Sequence, residues 1–492
     1  MVAPAAPGAD MRRLVVVSNR LPQLQSSWPE AERTTPVGGL ASALRSALTR
    51  SQGSLWVGST TAAAPPAARS RTVKTALEGV QLVGIPLTQR ENAQYYRGFC
   101  NEALWPLFHG FLGRVRLDRD DEECYREVNE RFAHELMPLL RPADLVWVHD
   151  YHLLCLGREL RRLGWTGALG LFLHIPFPPH DLWEVLPRPR DFVRAMLEYD
   201  VVGFQTRGFL ENYVQCCRRE LDARWDGSRI AAADRVQRAG AYPIGMEPAA
   251  FEPPAGPVRP SGERGELSKV VRGRRLILGV DRLDYTKGIP ERLRAFETLI
   301  ATRPDLRKKV SFVQIASPSR SRVPGYLEQK QLVDSMVGRI NGELAEHDWV
   351  PVRYLYRSYP QSVLARFYRE ADVGLVTPLR DGMNLIAKEF VAAQYPDAPG
   401  VLVLSRLAGA AEELREAVLV NPHIPSDVAD GVARALAMPL DERIRRHSAL
   451  LERVRAQTAG TWSNGFIDDL KDEADRRAVR QKELRHAIAN HT

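Results

Sequence analysis

The fold of this chain is decided by the stretch VTPLRDGMNLIAKE, residues 376–389. The apolar run that ends at Val376 is typical of a buried parallel strand, and a pattern of helical period follows the next proline and glycine. The stretch therefore predicts a strand, a loop and a helix, whose first backbone N–H groups can bind an anion. Glu389 lies one turn beyond Leu385 on the same helix face. This arrangement suits a nucleotide, with its diphosphate at the helix start and its ribose on the acid.

Outward from this stretch, strand-like and helix-like segments alternate along the chain, which predicts an α/β protein with parallel sheets. The predicted strands are Leu14 to Ser18, Leu145 to His149, Ala168 to His174, Val201 to Gln205, Arg275 to Val280, Val310 to Ile315, Arg353 to Leu355, Val373 to Val376 and Gly400 to Leu404. The proline-rich residues 242–257 interrupt the pattern and indicate a hinge or linker. We predict two Rossmann-like doubly wound domains that face each other across a cleft, with ligands at the carboxyl ends of the strands.

The predicted domain boundaries follow from these breaks. Residues 1–10 form a disordered tail, 11–245 the N-terminal domain, 246–460 the C-terminal domain and 461–492 a helical segment that crosses back to the N-terminal domain.

Length and composition exclude several classes of protein. A chain of 492 residues is too long for a single hydrophobic core. A composition of 44% hydrophobic and 26% charged residues is ordinary for a soluble protein. No apolar run is long enough to span a membrane. Five cysteines without a C-x-x-C pair favour reduced thiols in a cytoplasmic protein. The net charge of +8 is spread over helices of mixed charge, which favours an anionic small substrate or a solvated surface over nucleic acid.

No pattern of metal ligands is found in the sequence. Zinc-ligand spacings are missing, and the only D-x-D segment, residues 118–120, lies in a charged stretch that we interpret as solvated surface.

A second charged loop, DRLDYTKG at residues 281–288, follows another predicted strand. It carries Arg282 and Lys287 just before a helix predicted from about Ile289, where the next residue is a proline that suits a first helical turn. Two cations beside a helix start would bind a diphosphate and stabilise a leaving group that gains negative charge. The spacing alone equally allows a surface Arg and Lys paired with the two aspartates of the same loop.

Polar motifs also follow the predicted strands of the first half. Arg20 ends the motif SNR, and HDYH at residues 149–152 and HIPFP at residues 174–178 follow two neighbouring strands. Two histidine-containing strand ends favour a site over structural histidines. Gly38-Gly39 opens a predicted helix, Leu40 to Thr49, although a plain turn is the simpler interpretation.

The aromatic residues around Tyr96 and Trp105 are typical of a core. They would also suit a sugar, whose C–H faces pack on rings.

Together, nine strings in order make the chain resemble the trehalose-6-phosphate synthases, which are retaining glycosyltransferases of the GT-B type. The strings are VVVSNR, GGL, QYYRGFCNEALWPLFH, HDYHLL, FLHIPFP, DRLDYTKG, QIASPSR, GRINGE and LVTPLRDGMNLIAKEF. The resemblance runs from about Leu14 to about Leu470. It implies a GT-B fold, an N-terminal acceptor domain, a C-terminal nucleotide-sugar domain and transfer of glucose from UDP-glucose to glucose 6-phosphate.

The resemblance also implies roles for individual residues. The donor-binding set is Gly39, His174, Arg282, Lys287, Tyr359, Leu364, Asp381, Gly382, Met383, Asn384, Leu385 and Glu389. The acceptor-binding set is Arg20, Tyr96, Trp105, Asp150 and Arg320. The catalytic set is Asp150, His174, Arg282, Lys287 and Asp381. No cofactor and no metal are expected, because Arg282 and Lys287 would supply the cationic charge. The expected partners are the two small substrates, with a homo-oligomer (dimer or tetramer) left open, and the location is cytoplasmic.

One departure from the family lies at Ser59, where a second tryptophan is common. It falls on the acceptor side, so a family member with another phosphorylated acceptor, such as glycerol phosphate or a cyclitol phosphate, is one alternative. An inactive nucleotide-sugar-binding regulator is an alternative of another class, and an epimerase of the same fold is disfavoured by the residues expected around the acceptor phosphate.

Overall fold

The computed structural model describes residues 12–21, 44, 47–48, 53–60, 73–77, 79–233, 235–254, 266–271, 273–319 and 323–489. These residues form two compact units. The first contains the N-terminal strand, the segment Leu44–Tyr242 and the chain from Ser463 onward, and the second contains Pro243–Trp462.

The first unit is built on one ten-stranded sheet. Its strands are β1 Leu14–Arg20, β2 Leu55–Thr60, β3 Val73–Leu77, β4 Val80–Pro86, β5 Leu145–His149, β6 Ala168–Phe172, β7 Val201–Phe204, β8 Arg224–Trp225, β9 Arg229–Ala232 and β10 Arg235–Ala241. Their order is β3-β4-β2-β1-β5-β6-β7-β10-β9-β8. The seven central strands, β4-β2-β1-β5-β6-β7-β10, pair in parallel. Strand β3 at one edge and strands β9 and β8 at the other pair in antiparallel fashion. All five residues of β5 are buried, as a parallel strand covered on both faces requires.

Helices connect these strands. They are α1 (three consecutive segments, Gln89–Glu91, the π-wound Asn92–Leu104 and Trp105–Phe108), α2 Arg119–Leu136, α3 Leu156–Arg162, α4 His180–Trp183, α5 Pro189–Met196 and α6 Arg207–Leu221.

The second unit has a six-stranded parallel sheet in the order β13-β12-β11-β14-β15-β16. Its strands are β11 Arg275–Arg282, β12 Val310–Ser317, β13 Val352–Leu355, β14 Val373–Val376, β15 Val401–Ser405 and β16 Val418–Val420. Its helices are α7 Glu266–Val270, α8 Ile289–Thr302, α9 Pro324–Leu344, α10 Gln361–Glu370, α11 Leu385–Ala393, α12 Pro425–Ala437 and α13 Leu440–Ala456. Counted from β11, the strands lie in the order 3-2-1-4-5-6 of a doubly wound dinucleotide-binding sheet.

The last helix, α14 Ala459–Ala489, packs on the first sheet from Ser463 onward. The Phe466 ring stacks on Trp147 with the ring centroids 4.8 Å apart. It fills the space left by Gly170, where an added Cβ would come within 2.6 Å of the Phe466 ring. The Tyr242 hydroxyl donates to the Asp469 carboxylate over 2.6 Å.

Several predicted boundaries differ from the observed ones. The strand predicted to reach His174 ends at Phe172, since the His174 N–H donates to the Asp150 side chain. The last helix begins at Ala459, two residues before the predicted helical segment 461–492. Strands β2, β3, β4, β8, β9, β10 and β16 were not predicted. Residues 1–10 and most of the predicted helix from Leu40 lie outside the described residues. The predicted domain boundaries stay predictions.

Candidate active site

In the second unit, the two loops predicted to bind diphosphate lie side by side. They follow β11 and β14, which are neighbours at the point where the strand order reverses and where doubly wound sheets bind ligands. The Leu379 N–H donates to the Thr286 carbonyl over 2.8 Å. Gly288 allows this approach, because it has φ +67° and an added Cβ would lie 2.7 Å from the Thr377 oxygen.

Lys287 and Asp381 form the charged centre of this pair of loops. The Lys287 ammonium lies 2.5 Å from Asp381 Oδ2, and the Asn384 side-chain amide donates to the same oxygen over 3.0 Å. Lys287 is only 8% exposed, so the ion pair lies largely out of water. Asn384 holds φ +80°, a left-handed conformation in which asparagine is enriched among non-glycine residues.

The alternative of a surface lysine paired within its own loop is wrong for Lys287. Its partner Asp381 lies on the other loop, while Asp281 accepts from the buried Arg292 over 2.5 Å. Asp284 accepts from the Thr286 N–H over 3.0 Å, and so caps the turn that carries Lys287. The predicted cation Arg282 ends β11 and is exposed.

The helix predicted after the 377–384 loop is present as α11. Leu385 opens it, directly after Asp381, Gly382, Met383 and Asn384. Glu389, one turn in, accepts a 3.0 Å hydrogen bond from the Tyr368 hydroxyl. Burial raises the pKa of Glu389 to about 7, so its carboxylate changes charge near neutral pH.

Tyr359 and Leu364, two members of the predicted donor-binding set, belong to the loop after β13 and to α10. Both are half-buried. Tyr359 packs edge-to-face on Phe367, with ring centroids 5.2 Å apart, and the Arg357 guanidinium lies 5.2 Å above its ring. Tyr359 also lines an open cavity of about 530 Å³ together with residues of α7, β12 and β13. An aromatic side of this kind is suited to a flat base.

In the first unit, Arg20 ends β1 and Asp150 follows the neighbouring strand β5, where the strand order again reverses. The exposed Arg20 guanidinium lies 4.2 Å above the Tyr96 ring. Close approach of β2 holds this strand end, since a Cβ at Gly58 would lie 2.9 Å from the Arg20 backbone. Ser59, also on β2, donates to the Asn19 carbonyl over 2.5 Å.

The two predicted aromatic contacts differ in exposure. Tyr96 lies on the π-wound part of α1, is half-buried and stacks on His152, with ring centroids 6.1 Å apart. Trp105 is 4% exposed and packs on Tyr151, with ring centroids 5.8 Å apart. Trp105 is therefore part of the core at this site, whereas Tyr96 presents its ring to Arg20.

Asp150 has a strained backbone. Its φ of 74° and ψ of 171° fall in a region that is almost exclusive to glycine, and strain of this kind clusters at functional sites. In this conformation its carboxylate lies beside the next strand end, where Oδ1 accepts from the His174 N–H over 3.3 Å.

His174 forms a short imidazole chain. Its Nε2 lies 3.0 Å from His149 Nδ1, and its Nδ1 lies 3.3 Å from Gln205 Nε2. Burial lowers the pKa of His174 to about 3 and the pKa of His149 well below its usual value. Both rings are therefore neutral near pH 7, so the hydrogen bonds of His174 carry no formal charge.

Two predicted site residues, Gly39 and Arg320, lie outside the described residues. Within the described ranges, no group of three or more His, Cys, Asp or Glu side chains is placed to hold a metal ion. Among the same residues, no helix combines the length and apolar character needed to cross a membrane.

Comparison with known protein families identifies the family of this chain. The model for glycosyltransferase family 20 matches residues 12–472. The chain belongs to glycosyltransferase family 20. This family 20 chain is 43% identical over 467 residues to a trehalose-6-phosphate synthase of Sinorhizobium fredii, covering 95% of this chain and 100% of the relative.

Solved structures agree with this family 20 assignment. A UDP-forming α,α-trehalose-phosphate synthase from Burkholderia vietnamiensis has 42% identity and a TM-score of 0.87, over 94% of this chain and 98% of that one. A UDP-forming enzyme of the same name from Burkholderia xenovorans, solved in complex with glucose-6-phosphate, has 41% identity and a TM-score of 0.85, over 93% and 100%. The predicted family, the α/β GT-B class with two parallel-sheet domains and the glycosyltransferase activity are confirmed.

Proposed function

We propose that this family 20 chain is a retaining glucosyltransferase. It moves glucose from UDP-glucose to glucose 6-phosphate and gives α,α-trehalose 6-phosphate and UDP. The observation that carries the proposal is the buried Lys287, which is held beside Asp381 and the start of α11 where the strand order reverses. Cationic charge and a helix N-terminus at such a point suit the diphosphate of a nucleotide sugar.

The donor contacts follow from this placement. The diphosphate binds Arg282, Lys287 and the N–H groups of Asn384 and Leu385, which precede and open the nine-residue helix α11. Glu389 accepts from the ribose hydroxyls, one turn deeper. In the structure Lys287 is paired with Asp381; with donor bound, its ammonium faces the diphosphate and Asp381 accepts from glucose hydroxyls.

The remaining donor contacts rest on the family resemblance. Tyr359 and Leu364 contact the uracil, beside the cavity described above. Gly382 and Met383 complete the loop, Gly39 approaches the diphosphate, and the neutral His174 binds a glucose hydroxyl.

The acceptor contacts group around the strand ends of the first unit. The Arg20 guanidinium binds the phosphate of glucose 6-phosphate, since a dianion is matched by a planar, permanently charged donor. Tyr96 orients Arg20 through its ring. By the family resemblance, Arg320 and Trp105, which lies mostly within the core beside this site, also contact the phosphate. Asp150 accepts from the sugar hydroxyls.

The reaction then needs no protein nucleophile. The 1-hydroxyl of the acceptor attacks the donor anomeric carbon on the face from which UDP departs. The bond from that carbon to the phosphate oxygen breaks, and the departing oxygen takes the hydroxyl proton. Lys287 and Arg282 stabilise the negative charge that develops on UDP, so the protein contributes positioning and electrostatic stabilisation. Turnover without a metal ion is part of this proposal.

We also infer a cytoplasmic location and small-molecule partners. All five cysteines are buried and none is in a disulfide, which suits a reducing compartment.

A substrate panel tests the proposed function. UDP-, GDP- and ADP-glucose are each assayed for nucleotide release with glucose 6-phosphate, glycerol phosphate or a cyclitol phosphate as acceptor. The highest kcat/KM is expected for UDP-glucose with glucose 6-phosphate. A higher value for another acceptor would assign the chain a different acceptor, and binding without any turnover would make it an inactive regulator.

Glu389 gives a prediction with a pH dependence. Glu389→Gln is expected to weaken UDP-glucose binding by about 10-fold or more, since a hydrogen bond to a charged group contributes about 1.5–3 kcal/mol. Because burial raises the pKa of Glu389 to about 7, the stronger ionised acceptor forms as pH rises through neutrality. Wild-type affinity should therefore increase between about pH 6 and about pH 8, and the variant's affinity should not. Calorimetric titration at several pH values measures the affinity of the wild type and of the variant for UDP-glucose. If both affinities changed with pH in the same way, Glu389 would be excluded from the ribose contact.

Arg20 gives a prediction on the acceptor side. Arg20→Ala is expected to raise KM for glucose 6-phosphate by about 10- to 100-fold and to leave KM for UDP-glucose unchanged, because a charge-assisted contact to the phosphate is lost. Free glucose, which has no phosphate, should react equally slowly with both proteins. Arg119→Ala, which removes an exposed arginine of α2, is the control. An unchanged KM for glucose 6-phosphate in Arg20→Ala would remove the phosphate contact from the account.

A further inference from the structure

Arg292 is a charged residue in the interior of the second unit. It lies on α8 among buried apolar neighbours such as Leu293 and Phe296, and only 1% of it is exposed. A guanidinium cannot shed its charge in a protein, so burial at this depth requires partners for its donors.

The four contacts of Arg292 reach four different segments. Nη1 donates to Asp281 at 2.5 Å, near the end of β11, and to Gln314 at 2.8 Å, within β12. Nη2 donates to the Lys287 carbonyl over 3.2 Å, and Nε donates to the Thr377 hydroxyl over 3.0 Å. One side chain therefore contacts both loops of the proposed diphosphate site.

These contacts fix the residues from which the two loops extend. Thr377 is the first residue after β14 and leads to Asp381, while Lys287 carries the ammonium that pairs with Asp381. The guanidinium therefore ties the Lys287 backbone to the start of the loop that holds its ionic partner. A planar group with five donors can make these bonds at once, whereas a lysine ammonium cannot reproduce their geometry.

We propose that Arg292 is a positioning residue that holds the Lys287 loop and the 377–384 loop in the relative placement needed to bind and stabilise the diphosphate. The inference rests on the proposed function, because it concerns the same nucleotide site. It adds a residue that does not touch substrate and acts through Lys287 and Asp381.

The charge of Asp281 makes the choice of variant important. Asp281 is 3% exposed, and within the described residues its Oδ1 has no hydrogen-bond partner. Removal of all positive charge at residue 292 would leave this carboxylate uncompensated and could unfold the protein. Arg292→Lys keeps the positive charge but loses the planar guanidinium and its several N–H donors. Thr377→Val removes only the hydrogen bond to Arg292 Nε.

Binding of UDP and of uridine to each variant tests the proposal, because the two ligands differ by the diphosphate. Arg292→Lys is expected to weaken UDP binding by about 10- to 100-fold, the scale of a small misplacement, and to leave uridine binding unchanged. Thr377→Val should show the same selectivity with a smaller loss. kcat should fall in Arg292→Lys while KM for glucose 6-phosphate stays constant.

Arg161→Lys is the matched control. Arg161 also makes four hydrogen bonds, to Glu198, Trp165, Gly167 and Asp200, and its side chain is 7% exposed, but it lies in the first unit. It should leave the affinity for UDP unchanged.

Each outcome decides the proposal. Wild-type affinity for UDP in a folded Arg292→Lys protein would overturn it, and so would equal losses for UDP and uridine, which indicate a general distortion. If Arg292→Lys does not fold, the affinities of Thr377→Val for UDP and for uridine test the proposal by the same criteria. Wild-type protein that binds no UDP would instead overturn the proposed function and the positioning role with it.

Discussion

Lys287→Ala is expected to lower kcat by at least about 100-fold, the usual cost of removing one group that stabilises charge in the transition state. Lys287 is 8% exposed, so water cannot easily replace its ammonium when UDP departs. The same loss is expected for Arg282→Ala. Single-turnover measurement of UDP release with saturating substrates isolates this chemical step.

Lys330→Ala is the control for this prediction. Lys330 also pairs with an aspartate, Asp334, but on the partly exposed face of α9. Its removal should leave kcat unchanged. Near-normal turnover in a folded Lys287→Ala protein would remove Lys287 from the chemistry, whatever its structural role beside Asp381.

Asp150→Gly is expected to make the protein more stable and less active at once. Glycine adopts φ 74° and ψ 171° without strain, while aspartate pays about 1–3 kcal/mol there. Part of this gain is offset by the greater chain entropy of glycine in the unfolded state and by loss of the hydrogen bond from the His174 N–H, so we expect the free energy of unfolding to rise by at most about 1 kcal/mol. kcat/KM for glucose 6-phosphate should fall by about 10- to 150-fold, because a hydrogen bond to a charged group is lost.

Two further variants separate strain from chemistry. Asp150→Asn keeps the strained backbone and loses the charge, so it should lose activity without gaining stability. Asp222→Gly relieves a left-handed residue, φ 51°, at the end of α6, and should gain stability without losing activity. Urea unfolding and initial rates measure both properties. An Asp150→Gly protein with wild-type kcat/KM would contradict the acceptor role of Asp150.

The sequence predicted the strand-loop-helix joints because their signals are local. The apolar run before Pro378 and the proline at position 290 mark a strand end and a helix start within a few residues. The structure places β14, the loop and α11 accordingly. The resemblance carried the roles of the residues, which no local pattern gives.

Pairings across the sheet could not be predicted in the same way. Lys287 meets Asp381, 94 residues later, only because β11 and β14 are neighbours, and periodicity does not give strand order. Spacing alone therefore left a pairing with nearby aspartates open. Arg292 was missed for a related reason. One signal was available: it lies three residues after Ile289 and four before Phe296, on the apolar stripe of α8.

Backbone strain was also invisible in the sequence. Aspartate tolerates a left-handed backbone better than most residues, but nothing in HDYH shows that Asp150 adopts it. The π-wound segment that presents Tyr96 has no known spacing signal either, since its apolar residues resemble those of an ordinary helix.

The product made from UDP-glucose and glucose 6-phosphate tests the central claim most directly. Nuclear magnetic resonance spectroscopy and mass spectrometry of the purified product should show one disaccharide phosphate with both anomeric centres in the α configuration and no reducing end. UDP should appear in equal amount. A product with an inverted anomeric centre, a reducing disaccharide, or free glucose alone would contradict retaining transfer to the acceptor's 1-hydroxyl.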